Sequence, residues 1–252
     1  MTGCKVALYH SDAFVLRTYK LGETDQIVVL FTREFGKLRA VVRRSHSPRR
    51  HTAGYYQPLM LLHAIVFGRP GQPLYRMHSV DIVQTWRPLR EDFSLLRCGL
   101  YITELIDVAT HERESAPELF ALLHQTLEQL AQTAAPEMLL RLFELRLLML
   151  IGYTPQLLYC AHCTRDLQPH ECTFSPRLGG LLCAACAATA HQTFTVSHEA
   201  VAYLRLALEG DATAAPLTPL ATAAQQDIER LLHTHLTFCL GRELKSYAFL
   251  HL

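Results

Sequence analysis

Over the first 85 residues apolar and polar side chains alternate with a period close to two. The alternation is clearest in Ala13–Thr18, Gln26–Thr32 and Gly36–Arg43, where β-branched and aromatic residues recur as half-buried strands require. Leu21-Gly22-Glu23 and Arg33-Glu34-Phe35-Gly36 separate these runs, each short and glycine-bearing as hairpin turns are. Two more strands are expected over Gln57–Phe67 and Leu74–Val83, divided by Arg69-Pro70-Gly71. Five short strands with no helical period predict a small closed barrel. The OB-fold is the natural five-stranded candidate, and an SH3-like barrel has much the same pattern.

From Glu91 the period lengthens to that of a helix, with Leu95, Cys98, Ile102, Leu105, Ile106 and Ala109 on one face. Pro117–Thr133 and Pro136–Ile151 predict two more helices, the latter opened by a proline in its first turn and closed by Gly152. Ser197 is placed to cap a helix running to about Glu209. Residues 210–220, rich in Ala, Thr and Pro, read as a linker before a last helix over Ala221–Leu240, ended by Gly241. The most apolar run, Met138–Tyr153, is interrupted by Arg141, Glu144 and Arg146, so it predicts a buried helix rather than a membrane span.

Between the third helix and Ser197 lies the chain's strongest chemical signal. Cys160-Ala-His-Cys163 is followed, after 19 residues, by Cys183-Ala-Ala-Cys186. Two CxxC pairs about 15–20 residues apart are the spacing of a four-cysteine zinc site, because each knuckle presents two sulfurs and two facing knuckles complete a tetrahedron. Four thiolates leave no open coordination position, so one structural Zn2+ is expected on Cys160, Cys163, Cys183 and Cys186. His162 and Cys172 are spare candidate ligands in the same loop. Pro176 and Gly179-Gly180 mark the loop's interior as turns.

Net charge is only +1, but its distribution is uneven. Residues 1–85 hold 12 Lys and Arg against 5 Asp and Glu, and residues 86–252 hold 12 against 18. This asymmetry predicts a polyanion-binding head on an acidic body. The third strand runs into the densest cluster of cations: Arg39, Arg43, Arg44, Arg49 and Arg50, with His46 and His51 among them and Arg33 and Lys37 upstream. Several cations on one loop suit phosphate neutralisation without base reading. Tyr55 and Tyr56 follow directly, as candidates for stacking on bases or for packing. The first residues, Met1 to Asp12, hold no apolar core segment, so no export signal is expected. Eight cysteines then fit a reducing, cytoplasmic compartment. No Walker loop, GxSxG or HExxH occurs, and no HxE is spaced as a zinc deaminase requires, so no catalytic residues are expected.

The expected organisation is α+β. An N-terminal five-stranded OB-fold barrel (1–85) binds nucleic acid, and a helical domain begins at 86–155. A Cys4 zinc module (156–192) is inserted, and C-terminal helices (193–252) complete the helical domain.

Laid end to end, these segments resemble the bacterial RecO family of recombination mediators over nearly the full length. The resemblance rests on Gly22-Glu23-Thr24-Asp25, Leu30-Phe31-Thr32-Arg33-Glu34, Phe35-Gly36-Lys37-Leu38-Arg39 and Gln57-Pro58 in the head. Further on it rests on Gly99–Leu105, Arg141–Leu145, Gly152-Tyr153, Gly179–Cys183 and Leu244-Lys245-Ser246. It implies an N-terminal OB-fold, a helical C-terminal domain and a zinc site present in many members. It also implies binding of single- and double-stranded DNA, strand annealing, and help in loading the recombinase onto strands coated by single-strand-binding protein. The implied partners are RecR and the acidic C-terminal tail of single-strand-binding protein, with Arg141 as a candidate contact for that tail or a partner of Glu144. Nucleoid association follows from the same resemblance, and no membrane partner does. Two departures stand out. Where the family's basic stretch reads Lys-Gly-x-Arg, this chain has Arg43, Arg44, Ser45 and His46, and where a glycine often follows the second cysteine it has Thr164. The competing readings are a zinc-dependent nucleic-acid-processing enzyme, which needs an open metal position, and an RNA-binding OB-fold protein of the translation apparatus.

Overall fold

The computed structural model describes residues 6–23, 25–43, 52–168, 172–210 and 220–251. The chain divides into two compact units, Met1–Thr133 with Lys245–Leu252, and Ala134–Leu244.

In the first unit, β1 (Ala7–Leu21), β2 (Asp25–Thr32), β3 (Gly36–Arg43), β4 (Leu61–Gly68) and β5 (Tyr75–Gln84) form a closed barrel in the order β1-β2-β3-β5-β4. Every pairing is antiparallel except β3 with β5. This is the OB-like arrangement, in which the first strand serves two neighbours. β1 pairs with β4 from Ala7 to Phe14 and with β2 from Ala13 to Leu21, its register shifting between Val15 and Arg17. Such a bulge bends a strand and lets it cross from one partner to the next. The strand extends beyond the expected Ala13–Thr18 because His10, Ser11 and Asp12 interrupt the apolar pattern without interrupting the ladder. Ser11 is buried, its hydroxyl donating to Glu34 and accepting the Arg33 N–H at 3.2 Å. β4 begins at Leu61 rather than Gln57. A 3-10 turn over Thr52–Tyr56 and a left-handed Leu59 (φ 63°) occupy the stretch before it. Inward rows of small and branched residues, among them Val15, Val28, Leu30, Ala40, Leu62 and Val66, fill the barrel.

Three helices belong to the same unit: α1 (Arg87–Glu91), α2 (Phe93–Ala109) and α3 (Pro117–Leu130). Asp92 caps α2 by accepting from the Leu95 N–H at 3.0 Å. α3 meets the barrel through aromatic rings, Phe120 lying 4.8 Å from Phe14 and 5.9 Å from Phe31. The α2–α3 connection lies against the start of β3. Arg113 N–H donates to Lys37 O at 2.9 Å, and a Cβ on Gly36 would fall 2.0 Å from Glu114 O. Gly36 is therefore required twice, for its φ of 66° and for this approach. The chain end returns to α2, where Glu104 accepts the N–H groups of Lys245 and Ser246 at 3.1 and 2.8 Å.

The second unit holds α4 (Pro136–Leu150), β6 (Thr173–Ser175), β7 (Gly180–Leu182), α5 (Ala184–Ala187), β8 (Phe194–Thr195), α6 (His198–Glu209) and α7 (Thr222–Leu240). The short strands form one sheet in the order β7-β6-β8. α7 packs on α4 and α6. Ser197 caps α6 through the Ala200 N–H, and Gly241, left-handed at φ 65°, ends α7. Most of the expected linker, residues 211–219, lies outside the described residues. Among the described residues no helix is long and apolar enough to cross a membrane.

Candidate metal centre and nucleic-acid interface

The two cysteine knuckles meet because the backbone on either side of them is paired. Gln156 N–H donates to Gly179 O at 2.8 Å, Leu181 N–H to Gln156 O at 2.9 Å, and Ala161 N–H to Leu181 O at 2.8 Å. The approach depends on Gly180, where a Cβ would come 2.5 Å from Gln156 O. The first knuckle closes through Thr164 N–H to Cys160 O and Cys160 N–H to Arg165 O, both 2.9 Å. Thr164 sits at φ 61°, the left-handed position that explains the glycine of the related pattern. In the second knuckle Cys183 N–H donates to the Cys160 sulfur at 3.4 Å.

The result is a cluster of Cys160, Cys163, Cys183 and Cys186 whose sulfurs all lie within 4.8 Å of one another. The Cys163–Cys183 separation is 3.8 Å. A tetrahedron with metal–sulfur bonds of about 2.3 Å has edges of about 3.8 Å, so the donor set fits a zinc ion. Electrostatics favour a cation too. The Cys183 thiol is held down at about 6, first by the Cys186 backbone N–H and then by the Arg165 side chain. The Cys186 thiol is pushed up to about 12, first by the Cys183 sulfur and then by burial. Once one sulfur ionises its neighbour resists, and a positive ion between them removes that conflict. The two spare candidates stand outside the cluster. His162 Nδ1 lies 3.6 Å from the Cys186 sulfur, and Cys172 is buried, its thiol pushed up by that burial.

The cations singled out from the sequence have different fates. Arg33 is exposed in the β2–β3 turn and Arg43 is exposed at the end of β3. Lys37 turns toward α2 and holds Asp107 at 3.0 Å, and Arg39 pairs with Glu112. Arg44, Arg49 and Arg50, with His46 and His51, lie outside the described residues. Tyr55 is exposed, whereas Tyr56 is packed in the barrel core, where burial pushes its hydroxyl up to about 12.

Register reveals further members of this face. Tyr19, Ile27, Val41 and Arg76 form one cross-strand row, flanked two positions away by Arg17–Val29–Arg39 and Leu21–Asp25–Arg43. Rows two apart point the same way, so Arg17, Tyr19, Arg43 and Arg76 share the barrel's outer side. The Arg17 guanidinium stands 5.6 Å from the Tyr19 ring centre and also holds Asp107 at 2.6 Å. The Arg17-x-Tyr19 alternation is legible in the sequence, but Arg76 joins the face only through the parallel β3–β5 pairing.

Arg141 is 5% exposed on α4 and lies 3.3 Å from Glu144, which is fully buried, and 3.6 Å from Glu229 on α7. The intrahelical pair with Glu144 is thus formed, with a second carboxylate from another helix.

Comparison with known proteins matches both halves of the chain. Residues 6–86 match the family model described as Recombination protein O N terminal, and residues 90–248 the one described as Recombination protein O C terminal. DNA repair protein RecO of Symbiobacterium thermophilum is 34% identical over 248 residues, 97% of this chain and 97% of the relative. The protein of that name from Pelotomaculum thermopropionicum is 35% identical over 243 residues, 96% of this chain and 93% of its own. That from Myxococcus xanthus is 35% identical over 243 residues, 96% of each. With both family models matched in order and relatives aligned nearly end to end, the chain belongs to the RecO family of DNA repair and recombination proteins.

Proposed function

We propose that this chain is a recombination mediator without catalytic turnover, which grips single- and double-stranded DNA with its barrel and anneals complementary strands. In this reading it helps load the recombinase onto strands coated by single-strand-binding protein, working with RecR and with the acidic tail of the coating protein. The observation that carries it is the outer side of the barrel. Arg43 and Arg76 stand there with Tyr19, and β3 leads from it into the arginine-rich stretch 43–50. Exposed guanidinium groups neutralise phosphates without reading sequence, and an aromatic among them stacks on any base. Residues 1–85 are then the nucleic-acid-binding domain, with Arg33, Arg43, Arg44, Arg49 and Arg50 as its contacts. Lys37 and Arg39 reach a phosphate only by exchanging Asp107 and Glu112 for it.

The four cysteines hold one Zn2+ as a brace, since sulfur fills every coordination position. X-ray absorption at the zinc edge tests this. Four sulfurs are expected, and three sulfurs with an oxygen would favour a metal-dependent enzyme. An acidic tail that reaches Arg141 has to displace Glu144 or Glu229. The working compartment is the cytoplasm, at the nucleoid.

The decisive experiment is annealing of complementary strands pre-coated with single-strand-binding protein, paired with a salt titration of DNA affinity. Replacing Arg43, Arg44 and Arg76 by Glu is expected to abolish annealing and to lower the salt slope by about 0.7–0.9 per lost phosphate contact. Unchanged slope and annealing would refute this placement of the DNA.

A further inference from the structure

We infer that the cysteine module carries a second contact for single-stranded nucleic acid, seating a phosphate in a groove beside the second knuckle and a base on Tyr159. The inference rests on the DNA-binding reading above but concerns a part of the chain that the barrel does not include.

The groove has a volume of about 430 Å³, and none of the nine residues lining it is Asp or Glu, the Cys186 sulfur being the one group there that can carry negative charge. Arg177, His162 and His191 offer N–H groups and Gln192 an amide, while the Thr189 hydroxyl already donates to Cys186 O at 3.2 Å and Ser175 is buried. Such a wall suits a phosphodiester oxygen, because it supplies several donors and no competing carboxylate. Arg177 is the fixed charge. Arg17, Lys37, Arg39 and Arg141 are each paired with a carboxylate of their own unit. Among the described residues Arg177 makes no ion pair, and it is exposed.

Leu178, next to Arg177, lines both this groove and a second one of about 380 Å³ whose wall includes Tyr159. Tyr159 is 47% exposed, and its N–H and that of Leu158 are fixed on the Gln156 side-chain oxygen at 3.2 and 3.0 Å. A half-exposed ring on an anchored backbone, with Leu178 lining both its groove and the one that holds Arg177, is the pairing that sequence-tolerant strand binding uses. The same geometry gives the metal cage a task in binding. The turn that projects Arg177 and Leu178 is tied through Gly179 and Leu181 to Gln156, on the segment that leads into the first knuckle.

The test uses the full chain with its metal content verified, and fluorescence anisotropy with a labelled thymidine oligonucleotide and with a duplex of equal length. Tyr159→Ala is expected to weaken single-strand binding by about 5-fold or more, as loss of one stacked base does, and to change duplex binding less. Tyr159→Phe should bind as the parent does, and Arg177→Gln, at an exposed turn away from the sulfurs, should lower the single-strand salt slope by about 0.7. If the parent binds oligonucleotide and both Tyr159→Ala and Arg177→Gln bind it equally well, the inference fails and the barrel reading survives. If the parent binds no oligonucleotide, both fail.

Discussion

Thirteen buried residues form a single apolar cluster in the barrel, whereas the cluster at the cysteine module has three, two of them the sulfur donors Cys160 and Cys183. The strands differ to match: β1 runs for 15 residues, and β6, β7 and β8 for two or three. Burying a large apolar side chain is worth about 1.5–3 kcal/mol, and ordering one residue costs about 1–2 kcal/mol. Leu182 is the one buried aliphatic side chain in that cluster, and with Leu157, Phe174 and Leu181, also buried, it makes a small apolar core for a segment of that length. A metal bound by the four sulfurs would add the missing stabilisation.

The contrast can be broken most directly by removing the metal. Chelation, or Cys183→Ala, is expected to cost the module on the order of 10 kcal/mol. Limited proteolysis should then cut within 156–192 while amide exchange in β1 to β5 stays slow. Cleavage without chelator, or a barrel that loosens in step, would erase the distinction. Its mirror image is Leu30→Ala, which should cost the barrel about 2–5 kcal/mol through the cavity left in the core. Thermal melts should give that loss equally with and without chelator.

A smaller effect comes from His235, buried on α7 with Nε2 2.9 Å from Tyr153 O. Burial pushes this imidazole below 6.5, outweighing the hydrogen bond, so the folded state holds it neutral. Its contribution is complete above the unfolded value near 6.5 and is lost as the pH falls through the lower folded value. The melting temperature of the second unit should therefore decline on acidification, and His235→Gln should flatten that decline. The smallest change is Thr164→Gly. Relief of a left-handed β-branched residue, about 1–2 kcal/mol, exceeds the chain entropy glycine adds, about 0.5–1 kcal/mol. Denaturant midpoints should show the metal-loaded module stabilised by about 0.5–1 kcal/mol.

Much of the molecule was legible before its structure. β3 falls on Gly36–Arg43 as its alternation indicates, and α6 starts behind Ser197 as its cap indicates. These signals are local, since periodicity and capping are set by residues a few positions apart. The fate of individual charges was not legible. Lys37 and Arg39 read as members of a cationic strip, yet Asp107 and Glu112, about seventy positions along, claim both. Tyr56 and Arg141 are similar cases, each apt for a ligand by type and each enclosed by its own unit.

By itself the sequence determined the five-stranded head, the helical period after it and the membership of the four-sulfur cluster. Each of these is written in spacing, and spacing along a chain survives whatever the chain later packs against. Only the tertiary structure decided which cations stay exposed, because an ion pair depends on distance in space and its partner is supplied by a remote element. The same holds for the glycine contact at Gly180 that brings the two knuckles face to face, and for the parallel pairing that sets Arg76 beside Tyr19 and Arg43.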